Sequence, residues 1–307
     1  MNLKPKRLKL LILIQIAVLG NLSLLGAASV NSYAKPRIAP TISYVSRTMT
    51  SLSIQFVPSS TDPTARYQYT LDNGKSWKFG TQSGNSILVS DVDPAQRYQI
   101  AIREINQFGA GLKSKTYSTR LVLVIGASIT AGSGGNGNGW VVQVATKLGW
   151  QLANLANSGT GFNKPKTDTQ KCQGQKNFIS QINCGMVFEP EIVIVSGGLN
   201  DCRDKTNLPN ETRNKALFTY GYLRMKLPNA ILIGTPVITF DSNNCLKSLN
   251  DITARMASAS AMYYVAGADS WLVGRKSWTS DGVHPNQIGH ANVAKNFINW
   301  LRSKKIQ

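Results

Sequence analysis

Leu121-Val122-Leu123-Val124-Ile125-Gly126-Ala127-Ser128 sets the fold class of this chain. Five apolar residues in a row leave no polar face, so the segment suits a strand buried on both sides. Similar runs stand at Ile192-Val193-Ile194-Val195 and Ala230-Ile231-Leu232-Ile233. Weaker candidates are Leu152-Ala153-Asn154-Leu155 and Met262-Tyr263-Tyr264-Val265. Helices are expected near 139–149, 211–226 and 247–261, with a last one at 286–303. Strands alternating with helices imply a parallel sheet in an α/β layer fold. In such sheets sites form beyond the carboxyl ends of the strands. Ser128, Gly159 and Asn200 each follow a strand candidate at that end.

Upstream the pattern is different. Leu52, Ile54 and Phe56 alternate with polar residues, as do Tyr67, Tyr69 and Leu71, then Tyr98, Ile100 and Ile102. A period of two marks half-buried strands, and Asp72-Asn73-Gly74 supplies turn chemistry. Residues 36–118 therefore read as a small all-β sandwich. Its aromatic residues, Trp77 among them, are expected in the core. The stretch Ser51-Leu52-Ser53-Ile54-Gln55-Phe56-Val57-Pro58, with Pro94, Tyr98, Ile100, Ile102, Asn106, Gly109 and Gly111, resembles a fibronectin type III domain. Phe56 stands where that family commonly has tryptophan. The resemblance implies a spacer or binding accessory without chemistry of its own.

The 307 residues suit two domains, and 42% hydrophobic residues suffice for a real core. Lys4, Lys6, Arg7 and Lys9 precede an apolar stretch from Leu10 to about Ala28, and small residues follow at Ser32-Tyr33-Ala34. Residues 1–34 thus read as a secretory signal, with retention as an N-terminal membrane anchor left open. The chain is then secreted or held at the cell surface. Four cysteines suit two disulfides in an exported chain; Cys172–Cys184 and Cys202–Cys245 are the favoured pairs. A zinc site is the rival, but paired C-x-x-C units are lacking. The net charge of +19 falls to +15 once the four signal residues leave. Such a charge favours anionic partners, here a cell-wall polymer, an acidic glycan or a membrane surface. No nucleic-acid motif accompanies it.

The chemistry centres on few residues. Ser128 leaves its strand just after Gly126, where a glycine allows a sharp turn and close approach of substrate. The chain has two histidines. His284 lies in Asp281-Gly282-Val283-His284-Pro285, where Asp281 can fix the tautomer of the imidazole and leave its other nitrogen for a serine. His290 is expected in the final helix, with packing or solvent exposure as its role. Asn200, in Gly198-Leu199-Asn200-Asp201, can donate its amide to an oxyanion, and Gly159 can bring a backbone N–H close.

Gly126-Ala127-Ser128, Gly159, Gly198-Leu199-Asn200-Asp201 and Asp281-Gly282-Val283-His284 resemble the four blocks of the SGNH, or GDSL-type, hydrolases. The resemblance covers about residues 120–303 of a second domain at 120–307. It implies a flavodoxin-like three-layer α/β/α fold, a triad of Ser128, Asp281 and His284, and an oxyanion hole of Ser128, Gly159 and Asn200. It implies no cofactor and no metal. Ala127 stands where the family often has aspartate, which takes a supporting carboxylate away from the Ser128 loop. Gly132-Ser133-Gly134-Gly135-Asn136-Gly137 formally fits a dinucleotide turn, but it starts too far from the strand and lacks the acidic partner; a flexible rim of the ester site is the better reading. The sequence thus points to a secreted serine esterase acting on acyl or acetyl esters of glycans or lipids. A catalytically weak wall-binding protein and an acyltransferase with the same triad stay open.

Overall fold

The computed structural model describes residues 35–306, apart from 63, 118–119 and 169–173. The expected signal at 1–34 lies outside the described residues. Alternating apolar residues build seven strands in the first part: β1 (Thr41–Arg47), β2 (Ser51–Val57), β3 (Arg66–Thr70), β4 (Thr81–Ser83), β5 (Ser86–Ser90), β6 (Ala101–Asn106) and β7 (Gly109–Lys113). They form two sets, in the orders β1-β2-β5-β4 and β3-β6-β7. Leu52, Ile54 and Ile87 from one set pack with Tyr67, Ile100 and Ile102 from the other in one core. The result is an antiparallel sandwich. Two local expectations need correction. The strand expected from Tyr98 starts at Ala101, because the Tyr98 hydroxyl instead accepts the Asp93 N–H at 2.9 Å and ties down the turn before β6. Trp77 is not in the core: it is half-buried, under the Arg103 guanidinium at 4.1 Å from its ring centre.

The second part runs β8 (Leu121–Gly126), α1 (Ser128–Ala131), α2 (Trp140–Leu148), β9 (Gln151–Asn154), β10 (Lys166–Asp168), β11 (Gly174–Lys176), α3 (Phe178–Gly185), β12 (Ile192–Ser196), α4 (Leu199–Cys202), α5 (Asn210–Lys226), β13 (Ile231–Gly234), α6 (Asn244–Ala259), β14 (Tyr263–Tyr264) and α7 (Gln287–Ser303). Five of these strands pair in parallel in the order β14-β13-β12-β8-β9. Counted from β8, that is the doubly wound 2-1-3-4-5 order read from β9, with its switch point beside β8. Leu121, Leu123 and Ile125 face one core with α3, α5 and α6. Val122 and Val124 face the other with α2 and α7. The unbroken apolar run is explained: each face of β8 meets helices, so neither can be polar.

The two parts share one sheet. β1 pairs in parallel with β9, Val45 opposite Gln151 and Ser46 opposite Leu152. Arg47, 4% exposed, sits at this seam. Its Nη2 donates to the carbonyls of Asp93 at 2.9 Å and Gln96 at 3.0 Å, and its guanidinium lies 5.3 Å from the centre of the Tyr98 ring. Tyr117 donates to the Trp150 carbonyl at 3.3 Å, and Arg97 and Arg120 both reach Glu191. Among the described residues no helix is long and apolar enough to cross a membrane.

Candidate active site

β8 ends at Gly126, whose backbone is extended and buried. The need for glycine there is packing, not a turn: a Cβ would collide with the Ser196 carbonyl oxygen of β12 and meet Thr130 at 2.7 Å. Ala127 is also extended and precedes Ser128, the first residue of α1. As a first helical residue, Ser128 has an N–H without an intrahelical acceptor. Its side chain is nearly buried, at 8% exposure.

A buried amide holds this strand end. Gln181, on α3, accepts the Gly126 N–H at 2.8 Å and donates to the Gly126 carbonyl at 3.1 Å. The same Nε2 reaches Thr160 Oγ1 at 3.2 Å. Thr160 follows Gly159, and its carbonyl accepts the Asn200 amide at 2.8 Å. One network therefore joins the strand before Ser128, the loop carrying Gly159 and the Asn200 side chain. That amide has a second N–H, available to a ligand. Next to it, Asp201 is 2% exposed and accepts the Phe162 and Asn163 N–H groups, each at 2.9 Å. Burial still raises its pKa above the usual carboxylate value. Cys202, at the end of α4, is bonded to Cys245 of α6. That pair matches the expected one, and it leaves neither sulfur free for zinc. Cys184 is also disulfide-bonded; the expected Cys172–Cys184 pairing falls partly outside the described residues. Among the described residues no three His, Cys, Asp or Glu side chains are placed to share a metal ion.

Asp281 and His284 form a tight turn. Asp281 Oδ2 lies 2.6 Å from His284 Nδ1, and Oδ1 accepts the backbone N–H groups of His284 at 2.7 Å and Val283 at 3.0 Å. These donors, the His284 backbone N–H first, hold the Asp281 carboxyl down at about 2. An ionised Asp281 keeps the proton on Nδ1 and leaves Nε2 as an acceptor. The turn adjoins the loop that follows Ser128: at Gly134, φ +86°, a Cβ would collide with the Pro285 carbonyl oxygen. The rim expected to be flexible at Gly132–Gly137 is thus packed at Gly134 and Gly135, while Gly137 has open space around it. His290, fully buried on α7, explains part of that packing. Its Nε2–H donates to the Ser133 carbonyl at 3.0 Å and its Nδ1 accepts the Trp140 N–H at 3.2 Å. Burial lowers its pKa, and the ring is neutral and structural.

Ser128 and Asn200 line one cleft with Ala127, Leu199, Val237 and Ile238. Gly159 lies on the neighbouring loop, whose Thr160 hydroxyl is 3.0 Å from the Gly126 carbonyl. A serine, an amide donor and an oriented imidazole on adjoining loops can together run acyl transfer. The model of the GDSL-like lipase/acylhydrolase family matches residues 124–291, more than half of the chain. The chain belongs to this family. It is a serine ester hydrolase. GDSL lipase Rv0518 of Mycobacterium tuberculosis is 28% identical over 195 residues, which cover 58% of this chain and 80% of that protein. Among solved structures, the lipase/acylhydrolase from Enterococcus faecalis is 16% identical, with a TM-score of 0.48, over 60% of this chain and 96% of its own. A family two carbohydrate esterase from Clostridium thermocellum, in complex with cellohexaose, is 13% identical with a TM-score of 0.48, over 89% of this chain and 94% of its own. In this GDSL-like hydrolase Ala127 offers no side-chain hydrogen bond to the Ser128 loop, and Gln181 braces the strand end one residue earlier, at Gly126. A lone glutamine on a short amphipathic helix carries no sequence signal for that task. Asp201 had one, its place beside Asn200.

Proposed function

We propose that the chain is a secreted serine esterase that cleaves acyl esters carried by glycans or lipids, through an acyl-Ser128 intermediate. Ser128 Oγ attacks the ester carbonyl and passes its proton to His284 Nε2. The Ser128 and Gly159 N–H groups and the Asn200 amide take the oxyanion. As the tetrahedral centre collapses, the bond to the alcohol breaks and His284 gives that oxygen its proton. Water then enters by the same route and releases the acid. Asp281 holds the imidazole and stabilises its charge without being protonated itself. The observations that carry this reading are the cleft shared by Ser128 and Asn200, and the Asp281–His284 pair on a turn that packs against the loop after Ser128.

Secretion is supported by the basic and apolar pattern of residues 1–34 and by the Cys202–Cys245 disulfide. The same reading takes residues 36–118 as a fibronectin type III-like accessory domain and 120–307 as the hydrolase domain. The strand sets β1-β2-β5-β4 and β3-β6-β7 and the Tyr98 contact before β6 support the first assignment. Arg66 over Phe79 and Arg103 over Trp77, together with the net charge, suit an anionic polymer as the bearer of the ester.

Ser128→Ala is expected to abolish turnover of a short p-nitrophenyl ester while the melting temperature stays close to that of the parent. Undiminished turnover would refute the reading.

A further inference from the structure

The cleft at Ser128 is small. Its cavity measures about 10 Å³, room on the order of one small group. Val237 and Ile238, 2% and 3% exposed, form part of its wall. It is a braced wall. The Val237 N–H donates to Asn250 Oδ1 of α6 at 2.8 Å, Val237 packs into the core on one face of the sheet, and Ile238 packs into the core on the other. Widening the cleft would disturb both cores, and close-packed interiors resist that.

The direction of the cleft says which half of an ester enters it. His284 must reach the leaving oxygen to protonate it, so the alcohol lies on the His284 side of Ser128. His284 does not line the cleft, whereas Ser128 and Asn200 do. A pocket that shares the nucleophile and an oxyanion donor, but not the general acid, receives the acyl group. The other side is open: the Asp281 side chain is 53% exposed and that of His284 26%.

We infer that Val237 and Ile238 close the acyl site just beyond the first methyl group, so that this hydrolase is selective for acetyl esters of large alcohols. The inference rests on the triad proposed above. Attack by Ser128 gives acetyl-Ser128 and the free alcohol, and water then releases acetate and restores the serine.

The test is kcat/KM for p-nitrophenyl acetate, butyrate and octanoate with the full chain, using Ser128→Ala as the blank. Acetate is expected to exceed butyrate by at least about tenfold, since each misfitted methylene costs about a factor of ten or more. Octanoate is expected to be slower still. Val237→Ala and Ile238→Ala, made singly, are each expected to raise butyrate relative to acetate by about tenfold or more. Octanoate or butyrate turned over as fast as acetate by the parent overturns the acyl-site inference and leaves the esterase reading intact. An unchanged acetate-to-butyrate ratio in both variants overturns the assignment of the wall. No ester turned over above the blank contradicts the esterase reading itself, and this inference with it.

Discussion

At the scale of single residues, Gln181 holds the backbone of the site in place without facing substrate in the proposed reaction. Its amide satisfies both backbone groups of Gly126 and reaches Thr160 Oγ1. Shifts of about 1 Å in reacting groups can cost roughly a hundredfold in rate. Gln181→Met keeps most of the volume and removes these hydrogen bonds. We expect kcat to fall about tenfold to a hundredfold with KM little changed, because the loss concerns alignment in the transition state more than binding. Steady-state kinetics on a short ester checks this. A kcat equal to that of the parent, or a rise in KM alone, would show that Gln181 only fills space. The triad candidates were legible in the sequence for a simple reason: with two histidines in the chain, only His284 has a carboxylate three residues before it in a turn. Gln181 is not legible, because its partners, the Gly126 backbone and the Thr160 hydroxyl, lie 55 and 21 residues away.

At the scale of elements, continuous apolar runs told more than alternation did. β8, β12 and β13 fall where the runs stood, since both faces of each strand are covered. Helix starts were displaced where a cap decided them. α6 begins at Asn244, ahead of the expected 247, because Asn243 Oδ1 accepts the Leu246 N–H at 2.9 Å. α3 was missed: it has eight residues, and its capping box uses Asn177 and Ser180 in place of the usual glutamate or glutamine. His290 of α7 gives this scale its pH dependence. Its folded pKa is lowered by burial, so near and below about pH 6.5 the unfolded chain takes up a proton that the folded ring refuses. The stability it contributes is complete above that pH and declines as pH falls below it. His290→Gln should flatten the fall of melting temperature between about pH 6.5 and 5. An unaltered slope would mean that other groups carry it.

At the scale of the molecule, the seam between sandwich and α/β layers was invisible in the sequence. β1 reads as an ordinary sandwich strand, and nothing in Thr41–Arg47 announces that its second edge pairs with β9. In the fold the seam is marked by the buried Arg47. Arg47 bridges β1, the turn at Asp93–Gln96 and Gln151 of β9, the last at 3.4 Å. Its hydrogen bonds carry charge, and Arg47→Ala is expected to cost about 2 kcal/mol or more. For a chain of this size that lowers the melting temperature by roughly 4–8 °C. A melting temperature within a degree of the parent would show that the seam does not depend on it.

The measurement that bears most directly on the esterase account is labelling of the full chain with a fluorophosphonate, followed by peptide mass spectrometry. The account predicts one phosphonylated residue, Ser128, and loss of that label in His284→Ala. A label on another serine, or a chain that cleaves short esters while Ser128 stays unmodified, would contradict it.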